Sequence, residues 1–314
     1  MTSIDFHTAA PVPGSLDVTW YPGHPHLAPG QGPLLQVHRY EAHTVILRQD
    51  KTVNYEAPFL FLLFGNERAL LLDTGATEEA ELFPLRATVD QLISEWLVDH
   101  PRERYELVVA HTHGHGDHVA ADGQFADRPD TRIVGREEEA VREFFGFGEN
   151  WPAGEVGFDL GGRELRLIGS PGHHAASVTV YDPWTGLLLT GDTVLPGRLY
   201  IADTAAFLAT MDRLTAFAAS HPVTHVLGCH VEMTARPGRD FPIGAQYQPG
   251  ELPLQLTPAH LTAIREAAAA VADRPGVYPH QDFVVYNRPT ERDMQRLVRR
   301  GELNRVLTAQ RPAL

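Results

Sequence analysis

The sequence predicts an α/β fold in which metal-ligand side chains follow the strands. Short apolar runs rich in β-branched residues alternate with longer stretches whose apolar residues fall at helical spacing. Several of the apolar runs end directly in histidine or aspartate. In α/β proteins, ligand sites gather where strand ends bring such side chains together. A chain of 314 residues with 43% hydrophobic content can bury the core that this fold requires.

The N-terminal residues predict an irregular arm over residues 1–35. They are rich in proline and glycine, as in Pro22-Gly23-His24-Pro25 and Pro29-Gly30-Gln31-Gly32-Pro33. Such clusters are typical of turns and do not continue a helix or a strand.

Two kinds of periodicity assign the elements after the arm. Apolar or alternating runs of four to eight residues predict strands, and apolar residues three and four apart predict helices. The predicted strands lie within 36–49, 58–64, 69–72, 107–110, 133–134, 163–168, 178–181, 186–189, 223–227 and 282–286. The predicted helices lie at 88–97, 119–123, 136–145, 204–219, 257–271 and 291–307, with a further helix start at Thr77-Glu78-Glu79. Polar turns at 65–68 and 182–185 predict two β-hairpins.

The densest polar stretch, His111-Thr-His113-Gly-His115-Gly-Asp117-His118, follows the predicted strand 107–110. Neutral imidazole and carboxylate are ligands that divalent metals prefer, and Gly114 and Gly116 permit the tight turning that brings them together. A solvated polar loop is the alternative, but the buried apolar run on the strand side disfavours it. The stretch therefore predicts a metal site.

Other predicted strands also end in ligand-type residues, namely Asp73, His173, Asp192 and His230. A carboxylate such as Asp73 at a strand end can cap a helix, or it can support a neighbouring ligand through a hydrogen bond. The recurrence of this position predicts that the side chains meet at one edge of a sheet.

These residues in order resemble the metallo-β-lactamase superfamily. The similarity rests on His113-x-His115-x-Asp117-His118, on Asp73-Thr74-Gly75 before it, and on Gly172-His173, Gly191-Asp192 and Cys229-His230 after it. It spans about residues 36–232 and implies a four-layer αββα sandwich of two mixed β-sheets flanked by helices. The implied division is a core over 36–235 and a C-terminal extension over 236–314 that packs on the core.

The resemblance also implies a ligand set for two divalent metal ions. His113, His115 and His173 would hold one ion; Asp117, His118 and His230 would hold the second, and Asp192 would bridge both. Zinc is the first choice, with iron and manganese as alternatives. Asp73 would orient a ligand, and Asp117 or Asp192 would take or shuttle a proton during turnover.

Three residues depart from the family pattern or stand beside it. His111 occupies a position where the family usually has an aliphatic residue, so we expect it to lie behind the ligands and not on a metal. His174 stands where threonine is common, and we expect it at the rim of the cleft. Cys229, next to His230, is expected to be a buried small hydrophobe because the second metal already has its ligands.

Two of the implied ligands separate the branches of the family. Asp192 resembles the bridging aspartate of glyoxalase II, lactonases and related hydrolases, whereas true β-lactamases carry cysteine or serine there. His115 disfavours the flavo-diiron branch, which has glutamate at that position. The expected function is hydrolysis of a small ester, lactone or thioester by water activated at a dinuclear centre. The alternatives are a mononuclear iron persulfide dioxygenase and minor β-lactam hydrolysis. A non-enzymatic binding module would predict an eroded ligand set, and here every position is filled.

Candidate substrate residues lie close to these motifs. Arg198 and Tyr200 could orient a carboxylate or a developing oxyanion, although a solvated Arg198 and a packed Tyr200 are equally consistent with the sequence. The aromatic residues Phe144, Phe147 and Trp151 are predicted to form an apolar lid over the cleft.

Composition limits the partners. The formal charge of −14 and the lack of a basic patch argue against nucleic acid. No apolar run approaches the length of a membrane span, and Met1 to His7 lacks the features of a signal peptide. A single cysteine fits a reducing compartment. We therefore expect a cytoplasmic enzyme that acts on a small-molecule substrate. The sequence leaves its oligomeric state open.

Overall fold

The computed structural model describes residues 3–25 and 32–309, so the turn signal predicted at Pro29-Gly30-Gln31 lies outside the described residues. The strands are β1 (Leu35–Glu41), β2 (Thr44–Gln49), β3 (Phe59–Phe64), β4 (Arg68–Leu72), β5 (Glu106–Ala110), β6 (Thr131–Ile133), β7 (Glu155–Asp159), β8 (Glu164–Gly169), β9 (Val178–Asp182), β10 (Leu187–Gly191), β11 (Arg198–Ile201), β12 (His225–Gly228), β13 (Gln255–Leu256), β14 (Gly276–Pro279) and β15 (Val284–Asn287). The helices are α1 (Leu85–Asp99), α2 (Gly116–Val119), α3 (Glu138–Phe145), α4 (Thr204–Ser220), α5 (Pro258–Ala270) and α6 (Glu291–Ala309), and 3-10 turns cover Ala120–Phe125 and Gly148–Asn150.

The strands form two six-stranded sheets and a smaller three-stranded sheet. In the first sheet, β1 to β6 lie in chain order; β1 to β4 pair antiparallel, and β4, β5 and β6 pair parallel. The second sheet has the order β13-β12-β10-β9-β8-β7, with a parallel pair between β10 and β12. The third sheet has the order β11-β15-β14. Both large sheets are therefore mixed.

Alternating side chains of the two large sheets build three apolar layers. Phe61 and Val108 of the first sheet and Val180 and Leu189 of the second belong to one buried cluster between the sheets. On the outer face of the first sheet, residues such as Leu62 pack in a cluster with α1. On the outer face of the second sheet, the corresponding cluster includes residues of α4 and α5. The predicted four-layer αββα sandwich is confirmed.

One predicted helix start is wrong. Residues 77–84 contain no helix, and α1 begins at Leu85, directly after Pro84. The hydroxyl of Thr77 does not cap a helix but accepts a hydrogen bond of 2.6 Å from the side-chain amide of Gln49. The proline fixes its own backbone angle and suits the entry to a helix, which explains the later start.

The C-terminal part joins sheets that begin earlier in the chain. β13 extends the second sheet through β12, and β15 pairs in parallel with β11. Within 3–25 and 32–34 the backbone forms neither a helix nor a strand, apart from one isolated bridge between Gly23 and Tyr247. The division into an arm over 1–35, a core over 36–235 and an extension over 236–314 stays a prediction.

A buried, ion-paired arginine of the second sheet ties the two large sheets together. Arg163, just before β8, donates hydrogen bonds to both carboxylate oxygens of Asp182, at 3.1 and 2.6 Å. The same guanidinium donates to the carbonyl oxygens of His43 and Phe64 and to the Thr44 hydroxyl, all in the first sheet or its turn. Because both charges are paired and hydrogen-bonded, their burial is tolerated.

Among the described residues, no helix combines the length and the apolar composition needed to cross a bilayer.

Candidate metal centre

The predicted ligands lie in the segments that follow strands of both large sheets, at one edge of the sandwich; Asp117 and His118 are in the short helix α2. β4 and β5 are parallel, as are β10 and β12, so within each pair the carboxyl ends meet at the same side. The seven predicted ligands separate into two compact groups, the first containing His113, His115 and His173 and the second containing Asp117, His118, Asp192 and His230. Asp73 and Cys229 form a third group with His118, on the side of that ring away from the other ligands of the second group. Each group takes residues from both sheets, so the site exists only when the sandwich is closed.

The first group consists of three converging imidazoles. The Nδ1 atom of His115 lies 2.9 Å from Nε2 of His113 and 3.1 Å from Nε2 of His173. The rings of His113 and His173 are nearly perpendicular, at 88°. Three ring nitrogens that point to one place are the usual arrangement of a three-histidine metal site.

The second group combines two imidazoles with two carboxylates. The Nε2 atoms of His118 and His230 are 3.4 Å apart. The Oδ2 atom of Asp117 lies 3.3 Å from Nε2 of His230 and 3.6 Å from Nε2 of His118. A mixed nitrogen and oxygen set of this kind suits zinc, iron or manganese.

Asp192 lies between the two groups. Its Oδ1 atom is 3.6 Å from Nε2 of His118 and 3.5 Å from Nε2 of His230, and its Oδ2 atom is 3.9 Å from Nε2 of His173. Oδ1 is buried and has no hydrogen-bond partner among the described residues. A buried carboxylate oxygen without a donor is costly unless a cation satisfies it, so this position fits a metal ion.

Asp73 holds part of the second group from behind. Its Oδ2 atom accepts a hydrogen bond of 3.0 Å from Nδ1 of His118 and one of 2.9 Å from the Thr112 hydroxyl, while Oδ1 accepts one of 2.7 Å from the Thr112 backbone N–H. The Thr112 hydroxyl in turn lies 3.2 Å from Nδ1 of His113. When Nδ1 carries the proton, the Nε2 lone pair of each ring is left for a metal. Thr112 was not predicted, although its place between two histidines was a usable signal.

Backbone carbonyl groups hold two more ligands. Nδ1 of His173 donates to the Tyr200 carbonyl oxygen at 2.9 Å, and Nδ1 of His230 donates to the Glu56 carbonyl oxygen at 3.0 Å. Ala57, the residue after Glu56, has a positive φ of 41°, which is uncommon for a residue other than glycine. Sequence reasoning missed these contacts because a backbone acceptor leaves no signature in residue type.

The two groups differ in their protonation. Burial lowers the pKa of His113 well below its usual value, and the neighbouring His118 adds to the effect. Burial acts in the same direction on His118 and His230, but Asp73 and Asp192 raise the pKa of His118 well above its usual range, and Asp192 and Asp117 raise that of His230 to about 9. A cation binding at the second group must therefore displace protons, which makes its uptake weaker in acid.

The carboxylates of the second group are held ionised. Burial alone would raise the pKa of Asp117, but the hydrogen bond with His230 and the charge of His118 lower it to about 2. Burial likewise opposes ionisation of Asp192, yet the charges of His230 and His118 hold its pKa well below the usual range. The carboxylates of Asp117 and Asp192 can thus act as anionic ligands.

The residues that depart from the family pattern lie around this centre. Nε2 of His111 lies 2.8 Å from Oδ1 of Asp122, and neither metal-ligand group includes His111. Cys229 is buried, as expected, and its thiol also donates a hydrogen bond to Oδ2 of Asp73, with 3.2 Å between sulfur and oxygen. His174 is half-buried, with its ring centroid 5.0 Å from that of His115.

The structure argues against a substrate role for the Arg198 side chain. It is 5% exposed and pairs with Glu232 and Asp240. Burial would lower the pKa of Arg198, but Glu232 and Asp240 raise it above its already high value, so the guanidinium is charged and already neutralised by its partners. The Tyr200 ring packs against that of Tyr286, with 4.8 Å between their centroids. Tyr200 supports the centre through its backbone oxygen.

The predicted aromatic lid is also not formed as expected. Phe147 is 1% exposed and belongs to the core between the two sheets. Phe144 and Trp151 are partly buried and pack against the same core. The prediction of a lid that includes Phe147 is corrected, since its ring already packs against that of Trp151.

Comparison with known proteins gives one family match and several relatives. The model of the metallo-beta-lactamase superfamily matches residues 57–242. A hydroxyacylglutathione hydrolase from Rhizobium meliloti (strain 1021) is 28% identical over 169 residues, which is 50% of this chain and 60% of that protein. A second protein of the same name, from Rhodobacter capsulatus, is 31% identical over 159 residues, 50% of this chain and 59% of that protein. The chain thus spans about three fifths of the length of these curated relatives.

Among solved structures, a metallo-beta-lactamase from Pontibacter korlensis aligns with 62% of this chain and 91% of its own, at 21% identity and a TM-score of 0.45.

Proposed function

Because the chain belongs to the metallo-beta-lactamase superfamily, we propose that it is a metal-dependent hydrolase that cleaves a small ester, lactone or thioester at a centre of two divalent metal ions. The observation that carries the proposal is the position of Asp192, with one carboxylate oxygen toward His118 and His230 and the other toward His173. A carboxylate in that position can serve two cations at once.

The donor set fits the metals that this chemistry requires. His113, His115 and His173 would hold one ion, and Asp117, His118 and His230 the other, with Asp192 shared between them. When bound, such ions supply a Lewis acid and lower the pKa of water toward neutrality. We propose zinc as the metal, with iron or manganese as alternatives.

The chain itself would position the reaction and move the proton. Asp117 has a side chain that is 25% exposed, while that of Asp192 is 14% exposed. The Asp117 carboxylate is therefore the better placed of the two to meet a water molecule and accept a proton from it. Asp73, Glu56 and Tyr200 keep the imidazoles in the tautomer that leaves the inward-facing nitrogen free.

The names of the relatives favour a thioester among the three bond types. Both relatives described above are called hydroxyacylglutathione hydrolase, which denotes hydrolysis of an acyl thioester of glutathione. We propose a small 2-hydroxyacyl thioester as the first substrate to test. Cytoplasmic location and a small-molecule partner are part of the same proposal.

The test is a hydrolysis screen of the metal-loaded enzyme together with metal analysis. The screen includes a 2-hydroxyacyl thioester, lactones, aryl esters and a chromogenic cephalosporin, and the metal content should be about two ions per chain. Asp117→Ala should lower kcat by about 100-fold or more while the circular dichroism spectrum stays that of the folded chain. Retained activity in this variant would remove Asp117 from the mechanism.

Two other results would change the proposal. A single iron per chain, with oxygen consumption on a persulfide, would favour the dioxygenase alternative. Turnover of the cephalosporin alone would favour β-lactam hydrolysis over thioester hydrolysis.

A further inference from the structure

His174 lies at the rim of the metal centre. Among the described residues, one of its ring nitrogens has a hydrogen-bond partner and the other has none. Its Nδ1 atom accepts a hydrogen bond of 3.1 Å from the backbone N–H of Ala176. A nitrogen that accepts from a backbone N–H cannot itself carry a proton, so the neutral ring must be protonated at Nε2. The backbone thus converts His174 into a fixed N–H donor.

The ring of this donor lies beside the ligand loop. Its Cε1 atom, between the two ring nitrogens, would lie 3.3 Å from a Cβ atom at Gly114. The His174 ring centroid is 5.0 Å from that of His115 and 5.7 Å from that of His113. Nε2 has no hydrogen-bond partner among the described residues, and the side chain is only half-buried.

Ligation does not account for this nitrogen. The group of three converging imidazoles near His174 contains His113, His115 and His173, without His174. A half-buried N–H donor beside that group can donate its hydrogen bond to an acceptor atom of a bound molecule.

We propose that Nε2–H of His174 donates a hydrogen bond to an acceptor oxygen of the substrate and of its carboxylate product, which makes His174 a positioning residue for acyl compounds. The proposal rests on the proposed hydrolase function for its substrate class. Hydrolysis of an ester, lactone or thioester always leaves a carboxylate, whose oxygens accept such a bond.

The test compares the metal-loaded wild type with His174→Ala and His174→Gln. The glutamine side chain can present an amide N–H donor where the imidazole had Nε2–H, whereas alanine has none. Both variants lose the acceptor for the Ala176 N–H, so the comparison between them isolates the donor. His280→Ala is the matched control, because it removes another half-buried imidazole, in the turn between β14 and β15.

Lactate, a 2-hydroxy acid, is titrated into each protein by calorimetry, and kcat and KM are measured with a 2-hydroxyacyl thioester. We expect His174→Ala to weaken lactate binding and to lower kcat/KM by about tenfold, the usual size of one lost hydrogen bond to a charged acceptor. His174→Gln should stay within about threefold of the wild type. Metal content should be the same in all four proteins.

Four outcomes would overturn the proposal. They are equal lactate affinity in wild type and His174→Ala, equal loss in the alanine and glutamine variants, loss of metal from His174→Ala, and absence of lactate binding to the wild type. If the wild type binds lactate but hydrolyses no ester, lactone or thioester, the proposed function fails, and the lactate affinities of the variants still decide the role of His174.

Discussion

Asp73 shows how a single buried carboxylate can set the position of several site residues. Its side chain is fully buried and accepts hydrogen bonds from the Thr112 backbone, the Thr112 hydroxyl, His118 and Cys229. Its backbone φ of 70° lies in the left-handed region, which aspartate and asparagine tolerate better than most residues. The residue therefore combines an uncommon backbone conformation with a role behind the metal ligands.

Replacing Asp73 by alanine should weaken both the fold and the metal centre. The buried Thr112 N–H loses its acceptor, which we expect to cost about 3 kcal/mol of unfolding free energy, and metal affinity should fall by 10- to 100-fold, as is usual when the partner of a ligand is removed. Asp73→Asn keeps one carbonyl acceptor and the backbone preference. We therefore expect its metal affinity to fall while its free energy of unfolding stays closer to that of the wild type than in Asp73→Ala. Denaturant unfolding and chelator competition measure the two effects, and unchanged metal affinity in both variants would contradict the role of Asp73.

Lys51 is a second residue whose burial has a measurable consequence. The side chain is 1% exposed. Burial, assisted by the charge of Arg48, lowers its pKa to about 7, although Glu251 and Glu232 act in the opposite direction. In the unfolded chain the amine keeps a pKa near its usual value of about 10.4.

The stability of the protein relative to Lys51→Met should therefore depend on pH. Below pH 7 the folded chain must bury the charged amine of Lys51, so the full free-energy cost of burying that charge lowers the stability. Between pH 7 and about 10.4 the unfolded state binds more protons than the folded state, so stability rises with pH and the cost disappears. The difference between the two proteins should change by up to about 5 kcal/mol over this range, measured by urea unfolding at each pH. A difference that is constant with pH would show that Lys51 titrates normally.

At the scale of elements, Gly191 at the end of β10 governs how closely the two sheets approach beside the site. A Cβ atom at Gly191 would lie 2.6 Å from Cβ of Thr112, and its φ is +55°. The neighbouring backbone also crosses between the sheets, since Val178 N–H donates to the Thr112 carbonyl oxygen at 2.8 Å. Close contact here places Thr112 against Gly191, the residue before Asp192.

Gly191→Ala should separate these strand ends. The added methyl group and the left-handed backbone together should cost about 3 kcal/mol of unfolding free energy, and metal affinity should fall as the groups on the two sheets move apart. Gly123→Ala is the matched control, because nothing lies within 4 Å of its added methyl group and its φ is not positive. Thermal unfolding of both variants measures the difference, and equal melting temperatures would contradict the argument.

The elements also show what sequence reasoning can reach. Long apolar runs such as those of β3 and β4 and the helical spacing of α4 were predictable, because periodicity records which face is buried. The short strands β7, β13 and β14 and the entry to α1 at Pro84 were not, because two to five residues carry too little pattern and tertiary pairing decides their form. In the site, residue type suggested the ligands, whereas the acceptors at Glu56 and Tyr200 are backbone groups.

The surroundings of Arg198 could not be predicted for a related reason. Arg198 has the chemistry of an anion-binding residue, but its two carboxylate partners, Glu232 and Asp240, are 34 and 42 positions away in the chain. Only the folded structure shows that its charge is already neutralised.

For the whole molecule, the two ligand groups act as a link between the sheets. His113, His115, Asp117 and His118 follow β5 of the first sheet, while His173, Asp192 and His230 follow strands of the second. The hydrogen bonds of the Arg163 guanidinium to His43, Thr44 and Phe64 tie the second sheet to the first independently of the ligands. A bound cation would therefore stabilise the closed sandwich as well as the site.

Removing metal should accordingly lower the melting temperature. A ligand present at 100 times its dissociation constant adds about 2.7 kcal/mol to folding stability, which for a chain of this size corresponds to several degrees. We expect the melting temperature to fall when a chelator strips the protein and to recover on addition of zinc. A variant in which His113 and His230 are both alanine should melt at the same temperature with and without chelator. A chelator effect in that variant would show that the stabilisation arises elsewhere.

The division of the ligands between the two sheets has a consequence for the folding of the chain during translation. Because the chain emerges from its N-terminus, His113, His115, Asp117 and His118 are made before any of the partners that complete either group. A half-made chain therefore carries two incomplete chelating groups, and tight capture of a cation must wait until the second sheet has docked on the first. Metal uptake would therefore follow the docking of the two sheets. The time at which a nascent or refolding chain binds metal would measure when the sandwich closes.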